Sequence, residues 1–419
     1  MITRRLTLLL CVLSLSVACG DDDAVGDAGP RPDSGPGIDG GPGVDSGPDE
    51  DAGPGEDAGP GEDAGPSSDW AVRTHPCPGI NRTDAFHADE DGTLWLGCGS
   101  GAEGQGLFMS SDDGASWALV ETSPAGIFET FRVLSIHRGF GDLLYVGGQR
   151  PGGAMAVSVD TSAAPFATEA VLTSGGTIDT QFLASPFVTT ASGAAFADSF
   201  NGGAALYRPD PSVGDDGLDW TVATDWEDNG DGHQILDMVV VGERFVGCGS
   251  TIAEPPYVFL PSMMEGAEPW EMTPINLAGD GLGAFEGEMW GVDANDSRVV
   301  VVGVDQDRNV GKIFVSGADR YEADDYAQID IDPLLDTVVE TDSTWARGVC
   351  MDSDRIVVVG EVQPLGVGDN TGFVLESTDG GATFTNITPE GSPDTWSKCQ
   401  IDDGGRVLVA GAGRVGIMN

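Results

Sequence analysis

Lysine is nearly missing from this 419-residue chain: Lys312 and Lys398 are the only two. Lys and Arg together number 19 against 69 Asp and Glu, a formal net charge of -50. A body so acidic is repelled by nucleic acid and by anionic membrane surfaces, which leaves cations, basic proteins and neutral glycans as partners. Helical periodicity is scarce beyond the N-terminus, which argues against a helical bundle. His75, His87, His137 and His233 are the only histidines, and they form no pattern with the cysteines. No CxxC or Cys/His spacing is present, so neither a zinc site nor a Cys–His nucleophile is indicated.

What is there is glycine, 63 residues of it, and a hydrophobic fraction of 40%. The first points to many tight turns, the second to a real core. The chain opens with Arg4 and Arg5, then an apolar run from Leu6 to Leu15 that is too short for a permanent membrane span. Residues 1–19 are therefore an export signal. Residues 20–68 follow as a tether in which Asp-Ala-Gly-Pro recurs at 51–54, 57–60 and 63–66. With little to bury and like charges repelling, this stretch is expected to be disordered, spanning roughly 40 Å or more.

From residue 69 to 419 the chain repeats. Short apolar runs ending in Gly recur as Leu94-Trp95-Leu96-Gly97, Leu144-Tyr145-Val146-Gly147, Phe245-Val246-Gly247, Val300-Val301-Val302-Gly303 and Val357-Val358-Val359-Gly360. Val407-Leu408-Val409-Ala410 carries Ala in the Gly position, and Ala194-Ala195-Phe196-Ala197 is a degenerate copy. These seven copies read as buried strands. Most are followed by a third strand, such as Lys312-Ile313-Phe314-Val315, and then by an aromatic opening a fourth: Trp117, Trp220, Trp270 and Phe384. Four antiparallel strands repeated seven times describe an all-β, seven-bladed β-propeller. The last copy lacks a fourth strand, and Asp69-Trp70-Ala71-Val72-Arg73-Thr74 supplies one, so the N-terminal strand is expected to pair with the C-terminal blade and close the ring.

Two stretches between third and fourth strands stand out. Ser377-Thr378-Asp379-Gly380-Gly381-Ala382-Thr383-Phe384 and Ser110-Ser111-Asp112-Asp113-Gly114-Ala115-Ser116-Trp117 resemble the Asp-box, or BNR repeat, with its pattern S-x-D-x-G-x-T-W/F. A short carboxylate accepts backbone N–H bonds in such a turn, Gly114 and Gly381 permit positive φ, and Trp117 or Phe384 packs inward. Asp112 and Asp379 are accordingly read as turn-stabilising rather than catalytic. The resemblance implies a structural turn lying away from the binding face. Loops joining strand two to three and strand four to one lie on the opposite face. They hold Gln149-Arg150, Asn201, Glu254, Asp305-Gln306-Asp307-Arg308-Asn309, Asp369-Asn370, Glu129 and Asp225-Trp226-Glu227-Asp228-Asn229-Gly230-Asp231. That is the face on which binding is expected.

Asp225, Glu227, Asn229 and Asp231 resemble the opening of a Ca²⁺ loop, although the closing position falls on Leu236. Ca²⁺ is the one candidate cofactor. Leu15-Ser16-Val17-Ala18-Cys19 resembles a bacterial lipobox, which implies lipid attachment at Cys19 and a cell-envelope location; processing by ordinary signal peptidase would instead give a secreted protein. With Cys19 lipidated, Cys77, Cys98, Cys248, Cys350 and Cys399 remain, so at least one is unpaired. Cys77–Cys399 is the expected clasp. Cys350 and Cys399 sit on first strands of neighbouring blades, one residue out of phase, which points them to opposite faces.

Several Asp-box families are glycosidases. The sialidase signature is absent, its nearest stretch being Phe131-Arg132-Val133-Leu134, and the recurrent Arg244, Arg298, Arg355 and Arg406 read as repeat geometry. The layout is similar to non-catalytic Asp-box propellers such as sortilin-type receptors and photosystem-assembly factors. A monomeric, envelope-anchored binding or scaffold protein for a protein or glycan ligand is therefore expected, the alternative being an extracellular sialidase-like or xyloglucanase-like glycoside hydrolase.

Overall fold

Strand follows strand from Trp70 to Asn419 in a computed structural model of the chain. Described within 70–419 are all residues except 78–82, 84, 101–102, 130–131, 140, 151–152, 163, 174–183, 191–192, 200–203, 210–218, 226–232, 252–254, 264–271, 279–284, 318, 336–341 and 365–367. The only helical elements among the described residues are two 3-10 turns, Ala323–Asp325 and Asp332–Leu334. The fold is an all-β propeller.

Strand β1 is Trp70–Thr74. Meander 1 holds β2 (Ala85–Ala88), β3 (Leu94–Ser100), β4 (Glu103–Ser110) and β5 (Ala118–Leu119), and the short β6 (Thr122–Ser123) follows. Meander 2 holds β7 (Arg132–Arg138), β8 (Leu143–Arg150), β9 (Gly153–Asp160) and β10 (Phe166–Thr173). Meander 3 holds β11 (Ala184–Thr190), β12 (Gly193–Ser199), β13 (Ala204–Pro209) and β14 (Asp219–Asp225). Meander 4 holds β15 (His233–Val241), β16 (Arg244–Thr251), β17 (Pro256–Pro261) and β18 (Met272–Asn276). Meander 5 holds β19 (Gly287–Asn295), β20 (Arg298–Asp305), β21 (Val310–Ser316) and β22 (Tyr326–Asp330). Meander 6 holds β23 (Ser343–Asp352), β24 (Arg355–Gln363), β25 (Thr371–Ser377) and β26 (Thr385–Asn386). The last holds β27 (Trp396–Ile401), β28 (Val407–Gly411) and β29 (Arg414–Met418), and its fourth strand is β1.

Within each meander neighbours are antiparallel. Meanders 2 and 3 also share a sheet, because β10 and β14 pair in parallel at Leu172–Asp219 and Thr173–Trp220. Strand β1 pairs with β29 over its whole length, from Trp70–Met418 to Thr74–Arg414. First strands touch in succession, β2 to β7, β11, β15, β19, β23 and β27, and β27 also touches β2.

Both faces of a second strand are buried, which is why those strands read as continuous apolar runs rather than alternating ones. In β20, Val300 and Val302 pack with Ile356 and Val358 of β24, while Val299 and Val301 pack with Val246 and Cys248 of β16. In β24, Val357 and Val359 turn instead toward Val407 and Val409 of β28. Neighbouring sheets therefore meet through residues one step out of phase along the repeat.

That geometry corrects the expected disulfides. Cys350 pairs with Cys399 at a Cα separation of 5.7 Å, and Cys77 pairs with Cys98 at 5.3 Å. Opposite phase, taken as an obstacle between Cys350 and Cys399, is what lets two adjacent sheets face each other. Cys77 lies just past β1 and is drawn onto β3 of the next meander instead of back to Cys399. Cys248 is the free cysteine among the described residues; it is buried, and burial pushes its thiol well above the ordinary range.

First strands carry a further feature with no counterpart in the sequence reading. Each of β7, β15, β19, β23 and β27 has a register shift, with Leu134, Leu236, Trp290, Arg347 and Ser397 as the extra residue. A bulge bends its strand and re-aims side chains. It also explains the recurring glycine. A side chain at Gly303 would overlap the carbonyl of Glu288, and one at Gly360 that of Trp345. In the last meander this position is Gly411, against the carbonyl of Thr395, rather than the expected Ala410.

Candidate functional site

The two Ser-x-Asp-x-Gly turns have the same internal wiring. The Ser110 hydroxyl donates to Asp112 Oδ1 at 2.8 Å and accepts the Gly114 N–H at 2.9 Å. Asp112 accepts the Ser116 N–H at 2.8 Å and the Ser116 hydroxyl at 2.6 Å. In the second turn Ser377, Asp379, Gly381 and Thr383 repeat the set at 2.8, 2.8, 2.9 and 2.6 Å. Gly114 and Gly381 sit at φ +75° and +90°. The bonds from Ser116 and Ser110 hold the Asp112 carboxyl down at about 2, and those from Thr383 and Ser377 do the same for Asp379. Carboxylates saturated in this way are turn struts. Trp117 and Phe384 each pack against a core cluster.

Strand-one-to-two and strand-three-to-four turns share a face, as the Gly380 N–H bond to the Asp354 carbonyl shows. There the recurrent arginines reach outward from their own sheets. Arg298 bonds Asp354 at 3.0 Å, Arg355 bonds the Gly405 carbonyl at 2.5 Å, and Arg406 bonds Asp113 at 3.0 Å, each in the following meander. Arg244 instead bonds the Ser262 carbonyl within its own. These four side chains do not converge on one point.

The opposite face is different. At the bulge of β23 the Arg347 guanidinium lies 4.9 Å from the Trp290 ring and 4.7 Å from the Trp345 ring. Glu361 of β24 accepts its Nε at 2.9 Å and Nη2 at 2.5 Å. The same carboxylate accepts Gln363 Nε2 at 3.0 Å and Asn370 Nδ2 at 3.2 Å. Arg347 and Glu361 are 11% and 6% exposed at their side chains. A buried pair like this is stable only when its remaining hydrogen-bonding positions are filled, which Gln363 and Asn370 do. Both indoles are half-buried, and the buried Trp345 Nε1 meets no acceptor in the protein. The guanidinium is thus that ring's specific partner.

Of these residues only Asn370 was singled out from sequence. Trp290 and Arg347 are the bulged residues of adjacent first strands, and a bulge leaves no local signature. The available signal was Trp345-Ala346-Arg347, a large aromatic and a charge two residues apart in a first strand.

Asp305, Asp307 and Asn309 lie at the turn from β20 to β21, where the carboxylates have protein partners. Asp305 Oδ2 lies 3.4 Å from the buried Lys312 Nζ, Asp305 Oδ1 accepts the Arg308 N–H at 3.1 Å, and Asp307 accepts the Glu286 N–H. Lys312 also pairs with Asp330 at 2.7 Å. Among the described residues no group of three His, Cys, Asp or Glu side chains is placed to hold a metal. Asp225 ends β14; Glu227, Asn229 and Asp231, like Cys19, Asn201 and Glu254, lie outside the described residues. Farther round, a cavity of about 590 Å³ has Leu119, Val120, Phe128 and Pro165 in its wall beside Glu121 and Glu129. Near the inner strands, Asp293 accepts the Met351 N–H at 2.8 Å and Asp237 the Val292 N–H at 3.2 Å, each linking its strand to the next. Burial pushes the Asp293 carboxyl up to about 7.

No protein-family model and no characterised protein matches the sequence. Solved structures do match the fold. YCF48 from Cyanidioschyzon merolae shares 14% identity over 83% of this chain and 99% of its own, at a TM-score of 0.56. Virginiamycin B lyase from Staphylococcus aureus shares 7% identity over 84% and 99%, at 0.54. The same lyase in an inactive form with quinupristin shares 8% at 0.52. At such identities the likeness establishes a β-propeller and nothing narrower about what the chain does.

Proposed function

We propose that the chain is a cell-envelope binding or scaffold protein without catalytic activity: a seven-bladed propeller, closed by β1 and carrying Asp-box turns, held by lipid at Cys19 on the 20–68 tether. It binds on the face opposite those turns. One observation carries this reading, the Trp290, Arg347, Trp345 and Glu361 cluster on that face. Its groups suit stacking and hydrogen bonding. Most glycosidases use two carboxylates about 5–9.5 Å apart, one to donate a proton and one to attack or activate water, and sialidases replace the second with a Tyr nucleophile. The cluster has one, Glu361, already engaged by Arg347, Gln363 and Asn370.

The test uses the mature full-length chain, with a hydrolysis screen over sialosides and β-glucans beside a pull-down from envelope extract. Binding with no turnover is expected, lost on Trp345→Ala. Turnover of any glycoside by the wild type, abolished in a Glu361→Gln variant, would replace this reading with the glycoside-hydrolase one.

A further inference from the structure

We infer that the Trp290–Trp345 platform takes an uncharged glycan chain. The inference rests on the binding reading above and names the ligand class of the same site.

Position gives the first argument. At the bulge of the first strand three other meanders place Leu134, Leu236 or Ser397, so the scaffold works with small or aliphatic groups there. Meanders 5 and 6 place Trp290 and Arg347 instead, and Trp345 two residues before the second. The repeat does not require this cluster.

Preorganisation gives the second. One guanidinium stacks on both indoles, Glu361 fixes the guanidinium, and Gln363 and Asn370 fix Glu361. Ring orientation is thus set before a ligand arrives, which lowers the entropy lost on binding. Two half-buried indoles flanking one guanidinium, with carboxylate and amide groups beside it, suit a molecule with flat C–H faces and a rim of hydroxyls. A pyranose ring has both.

Charge gives the third. Arg347 and Glu361 pair with each other, so neither is an unpaired charge offered to an ionic ligand. Around it stands a chain of formal charge -50, which raises the cost of bringing up any polyanion. A protein partner would use the same tryptophans as anchors.

The experiment is isothermal titration of the mature full-length chain with soluble β-glucan, xylan and dextran as neutral probes. Polygalacturonate serves as the anionic probe and polylysine as the cationic control. At least one neutral glycan should bind, with a change in tryptophan fluorescence. Trp345→Ala should weaken that binding tenfold or more, and Trp345→Phe should restore most of it. Thermal unfolding of both variants checks that the fold survives; if Trp345→Ala does not fold, the Phe variant and Gln363→Ala carry the comparison. Failure of all three neutral probes, or preference for polygalacturonate, overturns the glycan assignment. If an envelope protein is then captured in a Trp345-dependent way, the site reading stands and the glycan class alone is lost. Capture and glycan binding both indifferent to Trp345 would sink the two together.

Discussion

The two faces of this propeller are built by opposite rules. On the side of the Ser-x-Asp-x-Gly turns the same contacts recur: Asp112 and Asp379 have matching hydrogen bonds, and Arg298, Arg355 and Arg406 each reach the following meander. Opposite, the Trp290, Arg347, Trp345 and Glu361 cluster occurs in one place among the described residues. A contact found at several repeats solves a problem those repeats share, namely holding a turn and a neighbour. A contact found once answers to something outside the repeat. Damage to the first face should therefore show in stability, and damage to the second in binding.

The hardest test of that division removes β1. Deleting residues 69–76 leaves β29 as an unpaired edge and is expected to abolish cooperative unfolding in a denaturant melt. A truncated chain that melts as the parent does would reject closure by this strand.

Next in size are the two disulfides, which bracket the last meander: Cys350–Cys399 joins it to meander 6, and Cys77–Cys98 joins the segment after β1 to meander 1. Loops spanning 21 and 49 residues imply about 3–4 kcal/mol of unfolded-state entropy each. Reduction should lower the melting temperature, and Cys350→Ser with Cys399→Ser should account for about half of the drop. Glycan or partner binding at a temperature where the reduced chain stays folded should change little; a large loss of binding there would break the separation of the faces.

The smallest effect is in acid. Asp112 and Asp379 sit at about 2 in the folded chain, below the roughly 3.9 of an unfolded aspartate. Their contribution is present above pH ~4 and is lost as pH falls toward 2. Asp112→Asn with Asp379→Asn should be less stable near neutral pH and should lose less on acidification. Equal acid slopes in parent and variant, measured by thermal melts from pH 5 to 2, would show that these turns are not struts.

Much of this was legible without coordinates. Every expected second strand became a strand, from Leu94–Ser100 to Val407–Gly411, and the segment near Trp70 paired where the missing fourth strand belonged. Both turns formed as their residue order implied, because Ser, Asp and Gly act on backbone groups within four residues. The disulfides were misassigned because phase was judged as if all first strands lay in one sheet. The cluster was missed because Trp290 and Arg347 are 57 positions apart by their own numbering and meet only when two sheets are stacked.

Local chemistry was enough to determine strand content, the order of strands in each meander and the wiring of the turns, since hydrophobic periodicity and turn hydrogen bonds act over a few residues. Tertiary structure alone decided which faces meet, which cysteines bond and where a guanidinium lies between two indoles. Those depend on bulges and on sheet-to-sheet phase, and neither is set by residues near one another in the chain.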